Sequence, residues 1–302
     1  YNILSADFNA LGKSQIPLIL LIFSSVLNVV LDLIMVQVFH AGVAGVAIAT
    51  VIAQGVSCVL SFFILMNVLK RYTLKSKARM FDTVMFAMGT KMAIPSIIQQ
   101  SIVSIGMLLT QSAVNVFGSS ALAGYSAGTR LESLCIVPMI ATGNAVSTFT
   151  AQNLGAGKEE RVRKGYRAAY VIVIGFGLGL ILISQLFHDP IVSIFVSQEE
   201  SSVAFATGNA YFQFCGWFFF VLGFKAITDG ILRGAGDTTV YMIANLINLT
   251  IRVSVAKLAS PIFGIQVIWY AVPMGWLVNY LISFVWYRTG NWKRRKVVMD
   301  ID

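Results

Sequence analysis

Charged residues are scarce in this chain of 302 residues: they make up 12% of it, whereas apolar residues make up 57% and the mean hydropathy is +0.78. A soluble domain usually has about 25% charged residues and about 45–50% apolar ones. A single aqueous core cannot bury so much apolar surface, so lipid must supply part of the solvent. The composition therefore excludes a soluble enzyme or a soluble binding domain.

Histidine and cysteine are also rare, with two and three residues respectively. Cys58, Cys135 and Cys215 lie within apolar runs and lack the spacing of metal ligands, so they are predicted to be free packing thiols. Two histidines at loop edges and scattered carboxylates form no catalytic constellation, which argues against the alternative of an intramembrane enzyme. No cofactor and no metal site are expected.

The chain contains several long runs of apolar residues. A transmembrane helix needs about 20 mainly apolar residues. Eight runs reach that length, at about residues 15–38, 45–69, 85–117, 119–151, 165–187, 203–230, 238–260 and 264–287. In the fifth run, Gly175 and Gly179 have the four-residue spacing that permits close packing between helices. The sequence thus predicts an all-α polytopic membrane protein with about eight spans.

The basic residues are confined to alternate loops. Of the 22 Lys and Arg residues, 17 lie at position 13, within 70–79, within 157–167, at 233 or within 288–296. Basic loops of a membrane protein stay on the cytoplasmic side. The net charge of +9 therefore indicates membrane topology rather than nucleic-acid binding. We expect a multi-pass protein of the plasma membrane with a cytoplasmic C-terminus.

Two glycine-bearing stretches, "FNALGKSQIPL" and "ILRGAGDTTVY", precede apolar runs in the same way, and Gly12 and Gly236 are 224 positions apart. Both stretches fall on the predicted cytoplasmic side, which indicates the parallel repeat found in some transporters. The second copy is preceded by four helices that begin near residue 85. By symmetry about 140 residues are expected before Tyr1, in a protein of about twelve spans.

Four stretches carry a family resemblance: "IPSIIQQSIVSIGMLLTQSAVNVFG" (94–118), "AGTRLESL" (127–134), "STFTAQNLGAGKEERVRKGYR" (147–167) and "GILRGAGDTTVY" (230–241). The chain resembles the multidrug and toxic compound extrusion (MATE) family over essentially its whole length. The resemblance implies a two-lobed fold of paired six-helix bundles, with the first four helices mostly missing. Residues 1–69 would be the remainder of the N-terminal lobe (the end of helix 4 and helices 5 and 6), residues 70–84 a cytoplasmic linker, and residues 85–302 the C-terminal lobe with helices 7–12.

The resemblance also bears on the coupling ion. Sodium-coupled members have acidic residues at positions that correspond to the neighbourhoods of Val103 and Leu222, and both of these residues are apolar. Another branch couples through an acidic residue of helix 1, which would lie in the missing segment. Proton coupling is therefore favoured over sodium coupling.

Polar side chains at helical spacing inside the spans are candidates for binding substrate or ions, because such groups are costly in lipid. Arg130 and Glu132 are two positions apart, so they point away from each other and need different partners. Lys225 and Asp229, four positions apart, are predicted to form a structural ion pair. Hydrogen bonding between helices is the alternative explanation for the candidates, which are Asn28, Asp32, Gln100, Ser104, Gln111, Arg130, Glu132, Asn248 and Arg252.

The function predicted from these observations is secondary active antiport. The resemblance implies export of amphipathic, cationic drugs or toxic compounds in exchange for protons or sodium, by a monomer that binds small organic substrates in the bilayer. A lipid-linked oligosaccharide or polysaccharide flippase of the same superfamily is an alternative, but it would be expected to have a more heavily charged cavity. A channel would need rings of pore-lining groups, and a two-lobed repeat favours alternating access instead.

Overall fold

The computed structural model describes residues 1–70, 81–196 and 201–293, and all the regular structure in these ranges is helical. The chain forms two compact units, Tyr1–Asp82 and Thr83–Asp302. Most of the predicted linker (71–80) and most of the basic tail (294–302) lie outside the described residues.

The described part of the unit Tyr1–Asp82 contains three α-helices: α1 (Asn2–Ala10), α2 (Gln15–Leu33, continued by a π-helical turn at Ile34–Val38) and α3 (Gly42–Leu69). Helix α3 buries small side chains at four-residue spacing, including Ala53 and Ser57. Ser24 of α2 donates a hydrogen bond to the carbonyl of Ala53, and Ser57 donates one to the carbonyl of Leu20. These contacts hold α2 and α3 side by side.

The unit Thr83–Asp302 contains nine described α-helices: α4 (Thr83–Asn115), α5 (Ser119–Gly155), α6 (Glu159–Leu186), α7 (His188–Val192), α8 (Ser202–Gly216), α9 (Phe219–Gly234), α10 (Thr238–Ser254, continued by a π-helical turn at Val255–Ala259), α11 (Ser260–Phe263) and α12 (Gln266–Thr289). Among the described helices, seven segments are long and apolar enough to cross a membrane, and the pair α8 and α9 makes an eighth if it is one bent span. The predicted all-α fold with about eight spans is confirmed.

One predicted span differs in the structure. Residues 203–230 were expected to form a continuous helix, whereas α8 and α9 meet at a bend of 55°. Gly216 ends α8, and a Cβ atom placed on it would lie 1.9 Å from Oγ of Ser184. Glycine thus lets α8 approach α6 at a level where any side chain would collide, and the chain changes direction there.

The two glycine-bearing stretches noted in the sequence form the same turn. Gly12 and Gly236 have φ angles of 72° and 76°, a left-handed conformation that glycine adopts without strain. The backbone N–H of the residue after each glycine donates a hydrogen bond to the carbonyl oxygen five positions earlier. The N···O distance is 2.9 Å from Lys13 to Phe8 and 2.8 Å from Asp237 to Leu232. Both are the glycine-terminated helix ends known as Schellman motifs.

Close packing in the second unit occurs between α5 and α9. A Cβ atom on Gly143 would lie 2.5 Å from the carbonyl oxygen of Ala226, and one on Gly230 would lie 2.3 Å from that of Gly143. The close helix packing predicted at Gly175 and Gly179 is absent, since a Cβ atom at either position would meet no atom of the described chain within 4 Å.

Candidate functional site

A cleft of about 310 Å³ opens into the unit Thr83–Asp302. One face each of α4, α5, α9 and α10 forms its walls, and Trp276 of α12 contributes a ring. The polar and charged side chains that line it are Gln99, Gln100, Thr110, Asn144, Lys225, Asp229, Arg233, Tyr241, Asn245, Asn248 and Arg252.

Helical periodicity brings these residues together. On α10 the lining positions are 241, 245, 248, 249 and 252, and on α9 they are 222, 225, 226, 229 and 233. Residues three and four apart lie on the same face of a helix. Each of these two walls is therefore the polar face of an otherwise apolar transmembrane helix. The polar side chains of one wall face those of a neighbouring helix, which keeps them away from lipid.

An ion pair occupies the α9 wall. Nζ of Lys225 lies 2.9 Å from Oδ2 of Asp229. Ser283 of α12 donates a hydrogen bond of 2.8 Å to the other carboxylate oxygen, and Asn245 of α10 lies 3.5 Å from Oδ2. The pair forms as the sequence spacing indicated, but it also joins three helices and contributes to the cleft surface.

Arg233 marks the end of the cleft nearest the turn between α9 and α10. Its Nη2 atom donates a hydrogen bond of 2.8 Å to Oδ1 of Asn144 on α5. Its guanidinium also lies over the ring of Tyr241, 5.7 Å from the ring centroid, which is within the range of a cation–π contact. The guanidinium is thus held between α5 and α10.

Asn248 and Arg252 lie farther along α10, at the opposite end of that wall. Oδ1 of Asn248 is buried and has no hydrogen-bond partner among the described residues. No ion pair of the described residues includes Arg252. Oδ1 of Asn248 packs against Gly275 of α12, where an added Cβ atom would lie 2.1 Å from it. The cationic group that this end of the cleft offers to a ligand is therefore Arg252.

The rest of the cleft surface is apolar and aromatic. Met107, Leu249 and Trp276 line it, and so do Val103 and Leu222. The last two occupy the positions at which the family resemblance would place the acidic residues of sodium-coupled members. Within the described residues, no group of three or more His, Cys, Asp or Glu side chains could hold a metal ion.

The predicted candidates on α4 and α10 separate into two groups. Gln100, Asn248 and Arg252 line the cleft. Ser104 is exposed outside the cleft and donates its hydroxyl to the carbonyl of Gln100 at 3.1 Å, and Gln111 is also exposed outside it.

Arg130 and Glu132 of α5 point in different directions. Arg130 is exposed, whereas Glu132 is 6% exposed and accepts a hydrogen bond from the hydroxyl of Tyr211. The positive charge of Arg252 acts on the Glu132 carboxylate through space. Glu132 therefore lies within the electrostatic reach of the cleft without lining it.

The remaining candidates belong to the unit Tyr1–Asp82. Nδ2 of Asn28 donates to Oδ1 of Asp32 at 3.4 Å and to Oγ1 of Thr50 on α3 at 3.3 Å. Both Asn28 and Asp32 are half-buried. They form a small polar cluster of their own.

Sequence reasoning did not select several cleft residues. Asn144, Arg233 and Tyr241 line the cleft but were not among the predicted site residues, whereas Asn245 lies on the polar face of α10 that the sequence indicated. Tyr241 and Asn245 precede Asn248 by seven and three positions, so the helical spacing on α10 contained the signal. The sequence had no signal that would pair Asn144 with Arg233, which are 89 positions apart.

The sequence of the chain is similar to those of known proteins. The MatE family model matches residues 95–258. The chain is 30% identical to the probable multidrug resistance protein YpnP of Bacillus subtilis, over 99% of this chain and 66% of that protein. It is 24% identical to the probable multidrug resistance protein NorM of Thermotoga maritima, over 98% and 64% of the two chains. The chain thus spans slightly less than two thirds of the length of each of these two relatives.

The fold is also similar to solved structures. The Vibrio cholerae MATE transporter VcmN in its bent form superposes with a TM-score of 0.84 at 20% identity, over 97% of this chain and 66% of that one. At this level of identity the similarity concerns the fold alone.

Proposed function

This chain belongs to the MatE family of membrane transporters, and we propose that it exports amphipathic, cationic organic compounds across the plasma membrane in exchange for protons. Export would run toward the outside, with the basic loops and residues 288–296 on the cytoplasmic side. The protein would act as a monomer.

The proposal rests mainly on the surface of the cleft, which combines apolar and polar side chains. Pockets for small organic molecules have volumes of about 300–1,000 Å³ and combine apolar walls with a few polar groups. The cleft, at about 310 Å³, has Met107, Leu249 and Trp276 beside amide side chains such as Gln100 and Asn245. Flexible and aromatic side chains of this kind can accommodate different amphipathic compounds without requiring one geometry.

The choice of proton over sodium rests on residue chemistry. Sodium is a hard cation, and hard cations are bound by several oxygen ligands, which commonly include carboxylates. The carboxylate that lines the cleft, Asp229, is already bonded to Lys225 and Ser283. Val103 and Leu222 offer no oxygen ligand. A proton requires only one titratable group, and Asp32 and Glu132 are candidates.

The test is export from liposomes that contain the protein expressed from its complete reading frame. Liposomes loaded with a fluorescent cationic dye are exposed to an acidic external medium, so that protons move inward as dye moves outward. The expected result is dye efflux that increases with the pH gradient, stops when a protonophore collapses it, and does not respond to a sodium gradient. Efflux equal to that from protein-free liposomes would refute proton-driven export, and efflux driven only by sodium would refute the choice of ion.

A further inference from the structure

The carboxyl group of Glu132 lies one helical turn beyond the end of the cleft. On α5 the cleft is lined by Ile136, Ile140, Gly143 and Asn144. Glu132 precedes Ile136 by four positions, so the two residues share a face of the helix. Glu132 itself is buried, and its charge is therefore poorly screened by water.

Among the described residues, the Glu132 carboxyl has a single hydrogen-bond donor, the hydroxyl of Tyr211 on α8, which bonds to Oε2. A carboxylate that is held permanently ionised in such surroundings usually accepts two or three hydrogen bonds or contacts a cation directly. Glu132 has neither arrangement within the described part of the chain. Both its ionised and its protonated form are compatible with this site.

Arg252 connects this buried carboxyl to the cleft. It lines the cleft from α10, and it acts electrostatically on Glu132 without forming an ion pair. Of the charged side chains that the structure describes, Arg252 has the strongest electrostatic effect on Glu132. The titratable groups that face Glu132 are Tyr125 and Cys135 on α5, Tyr211 and Cys215 on α8, and Arg252 on α10.

We propose that Glu132 is a proton-binding group of the transport cycle and that Arg252 transmits the charge of Glu132 to the cleft. The proposal rests on the function proposed above, proton-driven export. The proton adds to Oε1 of the carboxylate, while the Tyr211 hydroxyl continues to donate to Oε2. No other bond is made or broken.

The charge of Glu132 affects how strongly the cleft binds a cationic cargo, because Arg252 lines the cleft and also acts electrostatically on the carboxyl group. When Glu132 is ionised, its negative charge offsets that of Arg252, and a cationic group can enter this end of the cleft. When Glu132 is protonated, the positive charge of Arg252 is unopposed and repels the cation. Proton and cationic cargo therefore weaken each other's binding, which is the reciprocal coupling that antiport requires.

A binding experiment isolates this coupling from transport. Two fluorescent dyes with the same ring system, one cationic and one anionic, are titrated into the purified protein from mildly acidic to mildly alkaline pH. Acidification is expected to weaken binding of the cationic dye and to strengthen binding of the anionic dye, because Arg252 acts on them with opposite sign. The expected change is about 5- to 150-fold, the usual range for coupling between two sites.

Three variants test the assignment. Glu132→Gln is expected to bind both dyes with the affinities of the acidic wild-type protein at every pH. Adding Arg252→Gln to that variant removes the repelling charge, so tight binding of the cationic dye should return and remain independent of pH. Glu160→Gln removes a carboxylate that is exposed on α6 and paired with Lys164, and it should keep both pH slopes. Preserved slopes in Glu132→Gln, or a double variant that binds the cationic dye as weakly as Glu132→Gln, would overturn the proposal.

A further variant keeps the proposal testable if Glu132→Gln does not fold. Tyr211→Phe removes the donor that favours the ionised carboxylate, so the midpoint of both pH slopes should move to higher pH. An unchanged midpoint would overturn the proposal. The proposed function fails separately, if the slopes are present in binding but liposomes show no proton-driven export.

Discussion

Nζ of Lys225 lies 2.9 Å from Oδ2 of Asp229, one turn along α9, the second half of the bent helix pair that is a candidate membrane span. The two side chains are 15% and 5% exposed, so water contributes little to their solvation. The other oxygen of Asp229 accepts a hydrogen bond from Ser283 of α12. The pair therefore stabilises the packing of α9 against α12 while it contributes two neutralised charges to the cleft.

Lys225→Met should strongly destabilise the protein, because it leaves the Asp229 carboxylate buried without its cation. Removing one partner of a buried pair typically costs about 3–5 kcal/mol. Replacing both residues, as Lys225→Met with Asp229→Leu, should recover most of the loss, since no buried charge then remains. Thermal denaturation of the detergent-purified variants, followed by loss of the monodisperse peak, measures the effect.

The chain contains a matched control for this experiment. Lys164 and Glu160 on α6 have the same four-residue spacing and a distance of 2.8 Å, but they are 73% and 80% exposed. Exposed pairs contribute about 0–1 kcal/mol. Lys164→Met should therefore change the denaturation temperature little, and equal shifts in Lys164→Met and Lys225→Met would contradict the importance of burial.

Gly230→Ala should separate α5 from α9. The added methyl group would lie 2.3 Å from the carbonyl oxygen of Gly143, so the helices must move apart. Gly179→Ala is the control, because a methyl group there meets nothing within 4 Å. Replacing glycine by alanine at an unhindered helical position usually stabilises the folded protein by about 0.4–1 kcal/mol. A lower denaturation temperature for Gly230→Ala than for Gly179→Ala is expected, and the reverse order would contradict the observed packing.

The fold could be predicted from the sequence because it depends on properties that act locally. Runs of about 20 apolar residues specify spans regardless of their partners. The predicted run at 15–38 coincides with the segment Gln15–Val38. The break at Gly216 was missed because it depends on the contact with Ser184, which a hydropathy pattern does not contain. Gly175 and Gly179 show the same limitation, since their spacing permits close packing but a Cβ atom at either position would meet nothing within 4 Å in the described ranges.

The candidate site was predictable in part. Polar residues inside spans identified Gln100, Asn248 and Arg252, which line the cleft. The same reasoning also selected Ser104 and Gln111, because a polar stripe does not reveal which of its residues a neighbouring helix encloses. Lys225 and Asp229 were identified as an ion pair, but their place on the cleft surface depends on α4, α5 and α10 packing around α9.

Gln100→Leu should change the range of exported compounds. The amide lines the cleft, and replacing it with an apolar side chain removes a hydrogen-bonding group from a surface that sorts amphipathic compounds. Ser101→Leu makes a similar change at the next residue, which is exposed and does not line the cleft. Efflux rates for a panel of dyes provide the measurement. A Gln100→Leu profile that matched the Ser101→Leu profile for every compound would show that Gln100 serves only helix packing.

Asp32→Asn tests whether the unit Tyr1–Asp82 also carries a required proton site. The half-buried carboxyl of Asp32 accepts a hydrogen bond of 3.4 Å from Asn28, and Asn28 also bonds to Thr50. Asparagine preserves the shape of this cluster and its capacity to accept a hydrogen bond, but it cannot titrate. Normal purification with loss of pH-driven dye efflux is therefore expected if Asp32 carries a proton.

Asp7→Asn is the appropriate control for Asp32→Asn, because Asp7 is an exposed carboxylate of the same unit and undergoes the same chemical change. It should export dye normally. Unchanged efflux in Asp32→Asn would eliminate Asp32 as a required proton carrier. The dye-binding slopes separate Asp32 from Glu132: if Glu132 is the group that Arg252 senses, Asp32→Asn should retain both slopes, whether or not it exports dye. Loss of the slopes in Asp32→Asn would instead assign the pH dependence of binding to Asp32, and the role proposed for Glu132 would be wrong.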